Sequence, residues 1–216
     1  MKLLSGPLSM FGMKAEIAVA EKGIDCEVEL VPFSLRDRYK PLHADVARLN
    51  PKGQVPVLMD GEVEIFDSTQ IFEYLEHRFP EPALWPGSPA ARAKARLEEL
   101  RSDEIFFPNF VALLNVMGDR TKAEAAEALR KIDVHYRERD KLLSQQAYMA
   151  GDQFTYADIA WFCAGFFTSF LGDDPDPACG HVIAWRKRVG LRPAVAPILR
   201  RFSDYLAANR LPVPAI

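Results

Sequence analysis

The sequence predicts an α+β protein in which a small domain of strands and helices precedes an all-helical domain. Up to residue 80 of the 216, segments with strand and helix patterns alternate, whereas every periodic segment after residue 90 has helical spacing. Between the two parts, residues 79–89 contain four prolines, which exclude a helix interior and indicate a linker. We therefore expect domains at 1–80 and 90–216, joined by a linker at 81–89.

The chain begins with a predicted βαβ unit. Residues 2–4 and 27–31 have strand patterns, and the second shows clear alternation. Between them Met13, Ile17 and Ala20 recur at helical spacing, and Gly23 is suited to end the helix.

A hairpin and a helix complete the first domain. Residues 57–59 and 64–66 are predicted strands, and Asp60-Gly61 between them is a strong hairpin signal. The helix that follows has an apolar stripe of Ile71, Phe72, Leu75 and Phe79. No helix or strand is predicted in the polar segment 34–48, which is written x in the order β-α-β-x-β-β-α. This order is thioredoxin-like.

The second domain is predicted to contain helices alone, at 92–107, 122–146, 155–170, 182–189 and 194–209. Pro108 is expected to kink the first of these helices beside Phe107. Thr155 and Asp158 are expected to form a capping box, with Phe154 and Ile159 as its hydrophobic staple, and are assigned a structural role.

Composition excludes several classes of function. The 27 basic and 30 acidic residues are scattered and lack the basic face that nucleic acid requires, so no nucleic-acid partner is expected. The three cysteines are far apart and the four histidines lack ligand spacing, so neither disulfides nor a metal is expected. No apolar run is long enough for a signal peptide or a membrane span, which predicts a cytoplasmic protein without a membrane partner.

A candidate ligand edge surrounds Pro56, which stands at the mouth of an apolar strand. Proline gives no N–H to a sheet, so we expect an edge position and a cis Val55–Pro56 bond. Val55 should then be extended, with both backbone groups facing outward for water or for a peptide-like ligand. Nearby, Asp67-Ser68 opens a helix. The pair is either an ordinary cap, or a site where Ser68 and the helix N-terminus hold a carboxylate and Asp67 an ammonium group.

These motifs together resemble the soluble glutathione S-transferases. The segment N-P-x-G-x-V-P-x-L at 50–58, then D-G, then an acidic residue and a serine at a helix start, is similar to their glutathione-binding half. Residues 154–159 resemble the capping box of that family's sixth helix, and Trp185 through Arg192-Pro193-Ala194 resembles its closing W…RPA segment. The resemblance implies a thioredoxin-like domain that holds glutathione, a helical domain with an apolar pocket for the second substrate, and a homodimer.

The resemblance also implies roles for particular residues. By position, Val55 pairs its backbone with the cysteinyl unit of glutathione, Pro56 shapes that edge, and Asp67 and Ser68 take the γ-glutamyl end. Asp67 stands where relatives usually have glutamate, so its shorter side chain is a departure from the family pattern.

Further contacts are implied elsewhere in the chain. Lys52 and Gln54 are candidates for the glycine end of glutathione, and Asp103 resembles an acidic residue that reaches glutathione in the neighbouring subunit. The expected electrophile pocket is lined by residues of both domains, namely Met10, Phe11, Phe106, Phe107 and Phe110.

The catalytic candidate is Ser9, in the turn between the first strand and the first helix. No tyrosine or cysteine is present in residues 4–12, and Ser9 aligns with the active serine of theta-like and zeta-like classes. Met10-Phe11 replaces the Ser-Cys pair of the zeta isomerases, which argues against isomerase activity. A hydroxyl donor and a helix N-terminus both stabilise a thiolate. The alternatives are that Ser9 only caps the helix, and that Ser5 or the backbone N–H groups of Met10 and Phe11 act instead.

Two functions from different classes remain. The first is a glutathione transferase for detoxification, with glutathione as co-substrate and a small apolar electrophile as partner, and with peroxide reduction as a side activity. The second is a non-catalytic ligand-binding or interaction protein with the same fold. A cysteine-type reductase is disfavoured because Cys26 is expected inside the second strand.

Overall fold

The computed structural model describes residues 1–34, 36–116 and 119–214, and the chain divides into two compact units. The first unit comprises Met1–Ala83 and Pro193–Tyr205, and the second comprises Leu84–Arg192 and Leu206–Ile216. The sequence pattern placed all of 90–216 in one helical domain. By its contacts, however, Pro193–Tyr205 groups with the first unit.

A four-stranded mixed sheet forms the centre of the first unit. Its strands are β1 Lys2–Ser5, β2 Glu27–Leu30, β3 Val57–Asp60 and β4 Val63–Phe66. The order is β2-β1-β3-β4, with β1 parallel to β2 and antiparallel to β3, and β3 antiparallel to β4. Asp60 pairs with Val63, so Gly61-Glu62 is a two-residue turn in which Gly61 has φ 62°. The predicted thioredoxin-like order is confirmed.

Three helices belong to this sheet: α1 Met10–Glu21, α2 Ala44–Leu49 and α3 Ser68–Arg78. Successive strand residues point to opposite faces, so Leu3 and Leu4 of β1 enter different core clusters. One cluster combines the sheet with α1 and α3, through Leu3, Ala15, Val19, Leu58, Ile71 and Leu75. The other lies around Leu4, Val31, Val46, Val55 and Val57.

Helix α2 was absent from the sequence-based prediction. It has six residues, of which only Val46 is buried, so its apolar periodicity is too weak to detect. Its N-cap is His43, whose Nδ1 accepts a hydrogen bond from the Asp45 N–H at 3.2 Å, and histidine is not among the usual capping residues.

Lys22 joins three parts of the first unit. Its buried Nζ donates to Glu76 Oε2 of α3 at 2.7 Å and to the Pro82 carbonyl at 2.9 Å. Gly23 follows with φ 63°, as expected for the residue that ends α1. The end of α1, the end of α3 and the start of the linker are therefore fixed to one another by a single ammonium group.

The helices of the second unit are α4 Pro89–Leu100, a π-helical segment Arg101–Phe106, α5 Phe107–Asn115, α6 Ala123–Leu143, α7 Tyr156–Phe170 and α8 Gly180–Gly190. A further helix, α9 Ala196–Ala208, lies mostly in the segment that groups with the first unit. The prediction of one helix at 92–107 with a kink at Pro108 was therefore incomplete. Pro108 has no N–H to donate, and the Asn109 side chain bonds the carbonyls of Ile105 and Phe106 at 2.9 and 3.0 Å. This side chain stabilises the wide turn just before α5.

Helix α7 is the centre of the second unit. It is apolar on almost every side and buried along nearly its whole length, which is typical of a central core helix. The Trp161 indole donates to the Glu98 carbonyl of α4 at 2.9 Å, and the hydroxyls of Tyr136 and Thr168 bond at 2.7 Å. Burial raises the pKa of Tyr136 to about 12, so this hydroxyl stays neutral.

The predicted capping box at the start of α7 is present. Asp158 Oδ2 accepts from the Thr155 N–H at 2.9 Å, while Oδ1 accepts from the Met149 N–H and the Trp185 indole, each at 2.9 Å. Burial raises the pKa of Asp158 to about 6 against these donors, so the carboxylate is ionised at neutral pH. Asp158 thus ties α7 to α8 as well as capping its own helix.

None of the helices within the described ranges combines the length and the apolar character that a membrane crossing requires.

We predict that Asp158→Asn lowers the free energy of unfolding by about 2–4 kcal/mol. The carboxylate accepts hydrogen bonds from N–H groups, whereas the asparagine amide would place its own N–H donors against them. Urea unfolding followed by circular dichroism measures the change. Asp152→Asn, at an exposed position nearby, is the matched control and should change stability little. Equal unfolding midpoints for the two variants would contradict the structural role of Asp158.

Candidate functional site

Ser9 fixes the turn that connects β1 to α1. It is the N-cap of α1, with extended backbone angles of φ −119° and ψ 112°, and its Oγ accepts from the Gly12 N–H at 2.9 Å. Its own N–H donates to the Gly6 carbonyl at 3.2 Å. A serine hydroxyl has one proton and two acceptor positions, so the cap occupies one acceptor position and does not use the proton.

Gly6 and Gly12 allow neighbouring side chains to pack closely against this turn. A Cβ on Gly6 would lie 2.7 Å from Tyr39 Cζ, and a Cβ on Gly12 would lie 3.1 Å from Ser9 Oγ and would collide with Ser5 Oγ. Neither position has room for a side chain, so both require glycine.

Ser5 is committed to a buried ionic cluster. Its hydroxyl, which has no exposed surface, donates to the Glu16 carboxylate, and the same carboxylate accepts from Arg201. Glu16 is 2% exposed, and Arg201 comes from the returning segment Pro193–Tyr205. Because its proton is engaged by Glu16, Ser5 is poorly suited to be the alternative thiol donor.

Val55 begins the edge that the sequence predicts as a ligand site. The Val55–Pro56 bond is cis, and neither backbone group of Val55 makes a hydrogen bond among the residues that the structure describes. The Val55 side chain packs into the cluster around Leu4 and Val57, so it anchors the edge.

Asn50 orders the loop before this edge and was not singled out by the sequence analysis. Its side chain donates to the Gln54 carbonyl at 2.6 Å and accepts from the Lys52 N–H at 3.0 Å, around a Gly53 with φ 62°. Asn50 is buried, whereas Lys52 and Gln54 are exposed. The signal that would have indicated this role is an asparagine before a proline in a turn.

Asp67, rather than Ser68, is the N-cap of α3. Its Oδ1 accepts from the N–H groups of Thr69 and Gln70 at 3.1 and 3.3 Å, and Ser68 is the buried first residue of the helix. Asp67 has φ 77° and ψ 126°, a strained conformation for a residue with a Cβ. Such strain persists only where the surroundings impose it, and it is concentrated at functional sites.

The aromatic residues predicted for the electrophile pocket differ in exposure. Phe106 is fully buried against Trp161 and Tyr136, with ring centroids 5.1 and 5.5 Å away, so it is a core residue with no surface for a substrate. Phe107 is half-buried and stacks on Phe110 at 5.1 Å, and Phe110 is buried.

The remaining predicted residues have mixed surroundings. In the first unit, Met10 is buried and Phe11 is half-buried, with Lys14 Nζ 5.7 Å from its ring centroid. In the second unit, Asp103 is half-buried within the π-helical segment.

Cys26 lies one residue before β2 rather than inside it, which corrects the expected position. Burial raises the pKa of its thiol, which disfavours the reactive thiolate. Within the described part of the chain, no group of histidine, cysteine and acidic side chains could hold a metal ion.

Two family models match this chain. Residues 3–83 match the glutathione S-transferase N-terminal domain, and residues 92–193 match the glutathione S-transferase C-terminal domain.

Individual proteins are similar over much of the chain. Glutathione S-transferase 3 of Zea mays is 30% identical over 228 residues, covering 99% of this chain and 96% of that protein. A stringent starvation protein A homolog of Coxiella burnetii is 32% identical over 158 residues, covering 73% of this chain and 71% of that protein. The crystal structure of the theta class glutathione S-transferase of Xanthomonas axonopodis pv. citri with glutathione bound has a TM-score of 0.76 and 26% identity, covering 91% of this chain and 95% of that one.

We predict that Arg201→Met lowers the free energy of unfolding by about 2–4 kcal/mol, because it leaves the buried Glu16 carboxylate without its cation. Chemical unfolding measures this loss. Arg200→Met, at the exposed neighbouring position, is the matched control. Combining Arg201→Met with Glu16→Gln should recover part of the loss, and strictly additive effects would contradict a direct ion pair.

Proposed function

Because the chain belongs to the glutathione S-transferase family, we propose that it binds glutathione and adds it, through its sulfur, to a small apolar electrophile. The observation that carries this proposal is the geometry of Ser9. Its oxygen caps α1 by accepting from the Gly12 N–H, and the cap does not use its proton. Ser9 also lies at a helix N-terminus, where a negative charge is favoured.

Ser9 acts on the thiol by stabilising its charged form. A free thiol has a pKa of about 8.5 and is mostly protonated at neutral pH. Lowering that pKa by about two units requires roughly 2.7 kcal/mol of selective thiolate stabilisation. One charge-assisted hydrogen bond from the Ser9 hydroxyl, together with the first-turn dipoles of α1, is of this size.

The edge and the start of α3 hold the tripeptide. Val55 offers an unpaired backbone N–H and C=O to the cysteinyl unit, in the manner of an added strand. Ser68 and the first turn of α3 bind the γ-glutamyl carboxylate, and Asp67 binds the ammonium group. A ligand contact at Asp67 would account for its strained backbone. Lys52 and Gln54, exposed on the loop that Asn50 orders, contact the glycine end.

Phe107 is the residue of the second unit best suited to contact an apolar electrophile. It is half-buried and rests on Phe110, so it presents part of a ring on a rigid support. Peroxide reduction is a side activity that the same thiolate supports. We place the protein in the cytoplasm.

The protein acts as a homodimer. Leu97 and Leu100 lie three residues apart on one face of α4, and Ile105 follows in the π-helical segment; all three are nearly half exposed. An exposed apolar stripe of this kind is typical of a protein–protein interface. Asp103, between Leu100 and Ile105 in the chain, is the residue that reaches the partner's glutathione.

A non-catalytic ligand-binding protein is the second candidate function. The similarity to stringent starvation protein A homologs favours it, because those relatives are not named as transferases. Glutathione-dependent turnover of an activated aryl halide supports the transferase. Glutathione binding without turnover of any electrophile in a broad panel supports the second candidate.

We predict that Ser9→Ala lowers kcat severalfold or more and raises the pH at which the rate reaches half its plateau, because the lost donor matters chiefly once the sulfur is charged. Ser68→Ala removes a contact present equally in ground and transition states, so it should raise the KM for glutathione and spare kcat. A pH-rate series and an ultraviolet titration of the bound thiol measure both effects.

Ser88→Ala is the matched control for this experiment. Ser88 Oγ caps α4 through the Ala91 N–H at 3.2 Å, so the variant loses the same kind of cap outside the site. It should leave the thiol pKa unchanged. If Ser9→Ala also leaves the rate and the thiol pKa unchanged, Ser9 is only a cap, and the backbone N–H groups of Met10 and Phe11 become the stabilising donors.

We further predict that Leu100→Glu shifts the homodimer towards monomer, because it places a charge within the apolar stripe. Sedimentation velocity at micromolar concentration measures the shift. Ile183→Glu, at an exposed apolar position on α8, is the control and should remain dimeric. A wild-type protein that sediments as a monomer would refute the homodimer.

A further inference from the structure

Tyr39 brings a phenol hydroxyl to the turn that contains Ser9. The ring covers Gly6, where a Cβ would lie 2.7 Å from Cζ, and it packs on Phe33 with centroids 4.8 Å apart. The hydroxyl oxygen is enclosed and makes no hydrogen bond of good geometry with any described residue. A buried hydroxyl without a partner is costly, so its presence at this turn calls for an explanation.

The Leu8 N–H and the Ser9 hydroxyl lie near enough to the Tyr39 oxygen to oppose the rise of its pKa, although neither makes a hydrogen bond of good geometry with it. Burial is the larger effect and raises the pKa of Tyr39 well above its usual range. Tyr39 therefore keeps its proton throughout the pH range in which a thiol titrates, and it remains able to donate.

The hydrogen-bonding capacity of Ser9 determines what this donor can do. The Gly12 N–H occupies one of the two acceptor positions of Ser9 Oγ. If the Tyr39 O–H occupies the second position, Ser9 can no longer serve Tyr39 as a donor. Its single proton is then available to the group outside the turn.

We propose that, once glutathione is bound, Tyr39 acts as a positioning residue that donates to Ser9 Oγ and directs the Ser9 proton to the glutathione thiolate, an inference that rests on the proposed function. Tyr39 does not touch the sulfur. The chain of donors runs from the Tyr39 O–H to Ser9 Oγ, and from the Ser9 O–H to the charged sulfur. Each bond in such a chain polarises the next, so the Ser9 bond is strengthened by the one behind it.

The proposal predicts opposite effects of Tyr39→Phe on stability and on chemistry. The phenylalanine ring keeps the packing on Gly6 and Phe33 and removes a hydroxyl that is unsatisfied without ligand, so the unfolding midpoint of the unliganded protein should be unchanged or raised. The donor to Ser9 is lost, so the pKa of bound glutathione should rise by about 0.5–1 unit, which lowers the thiolate fraction about 3–10-fold below that pKa. A purely structural tyrosine would not give this combination.

The experiment measures the thiol pKa of bound glutathione by ultraviolet absorbance, together with a pH-rate series, for wild type and Tyr39→Phe. The variant should be slower at low pH and should approach wild type above its thiol pKa. The affinity for S-hexylglutathione, which has no ionisable thiol, should be unchanged. Tyr74→Phe is the matched control, because Tyr74 donates to Asp60 at 2.7 Å and lies outside the turn; its thiol pKa should equal that of wild type.

A double variant tests whether Tyr39 acts through Ser9. In a Ser9→Ala background, Tyr39→Phe should produce no further rise of the thiol pKa. An equal further rise overturns action through Ser9.

The remaining outcomes separate this inference from the proposed function. If Ser9→Ala raises the thiol pKa and Tyr39→Phe does not, the role of Tyr39 is overturned while the proposed function stands. If wild type fails to lower the thiol pKa of glutathione at all, the proposed function fails, and this inference is overturned with it.

Discussion

The buried carboxylate of Glu16 is the constraint on which the first unit depends. A charge that is almost fully withdrawn from water is tolerated only when it is paired and hydrogen-bonded. Glu16 therefore draws in the Ser5 hydroxyl from the end of β1 and the Arg201 guanidinium from a distant part of the chain. Once Ser5 is held against α1, residue 12 has no room for a side chain, and the turn that carries Ser9 is closely packed.

The candidate site separates tasks that require different physical environments. In the proposed function the peptide is recognised by unpaired backbone groups, which Val55 has beside a side chain that packs in the core. The proposed stabilisation of a thiolate needs a donor with a defined direction, and Ser9 is buried and fixed as the N-cap of α1. The strained backbone of Asp67 lies at a third position, where the helix cap holds it. Each part is fixed by contacts within the first unit.

Local patterns were sufficient to predict most of the fold. Strand alternation, the Asp60-Gly61 turn and the Thr155–Asp158 box each depend on residues close in sequence, and each is found in the structure. Long-range contacts were not predictable in this way. The pairing of Glu16 with Arg201 spans almost the whole chain. Tyr39 lies within the polar segment 34–48, which has no periodicity to show that its ring covers Gly6. Phe106 was assigned to a pocket because a count of aromatic residues cannot distinguish a core ring from an exposed one.

The assignment of Pro193–Tyr205 to the first unit has a consequence for protein synthesis. A ribosome makes the chain from its amino terminus, so Met1–Ala83 leaves the exit tunnel long before Arg201 has been polymerised. During that interval the nascent sheet and α1 contain a carboxylate whose counterion does not yet exist, and the Phe33 carbonyl lacks the Tyr205 hydroxyl that donates to it at 3.2 Å. The thioredoxin-like unit is thus the first to be translated, yet its native contacts are completed only at the end of translation.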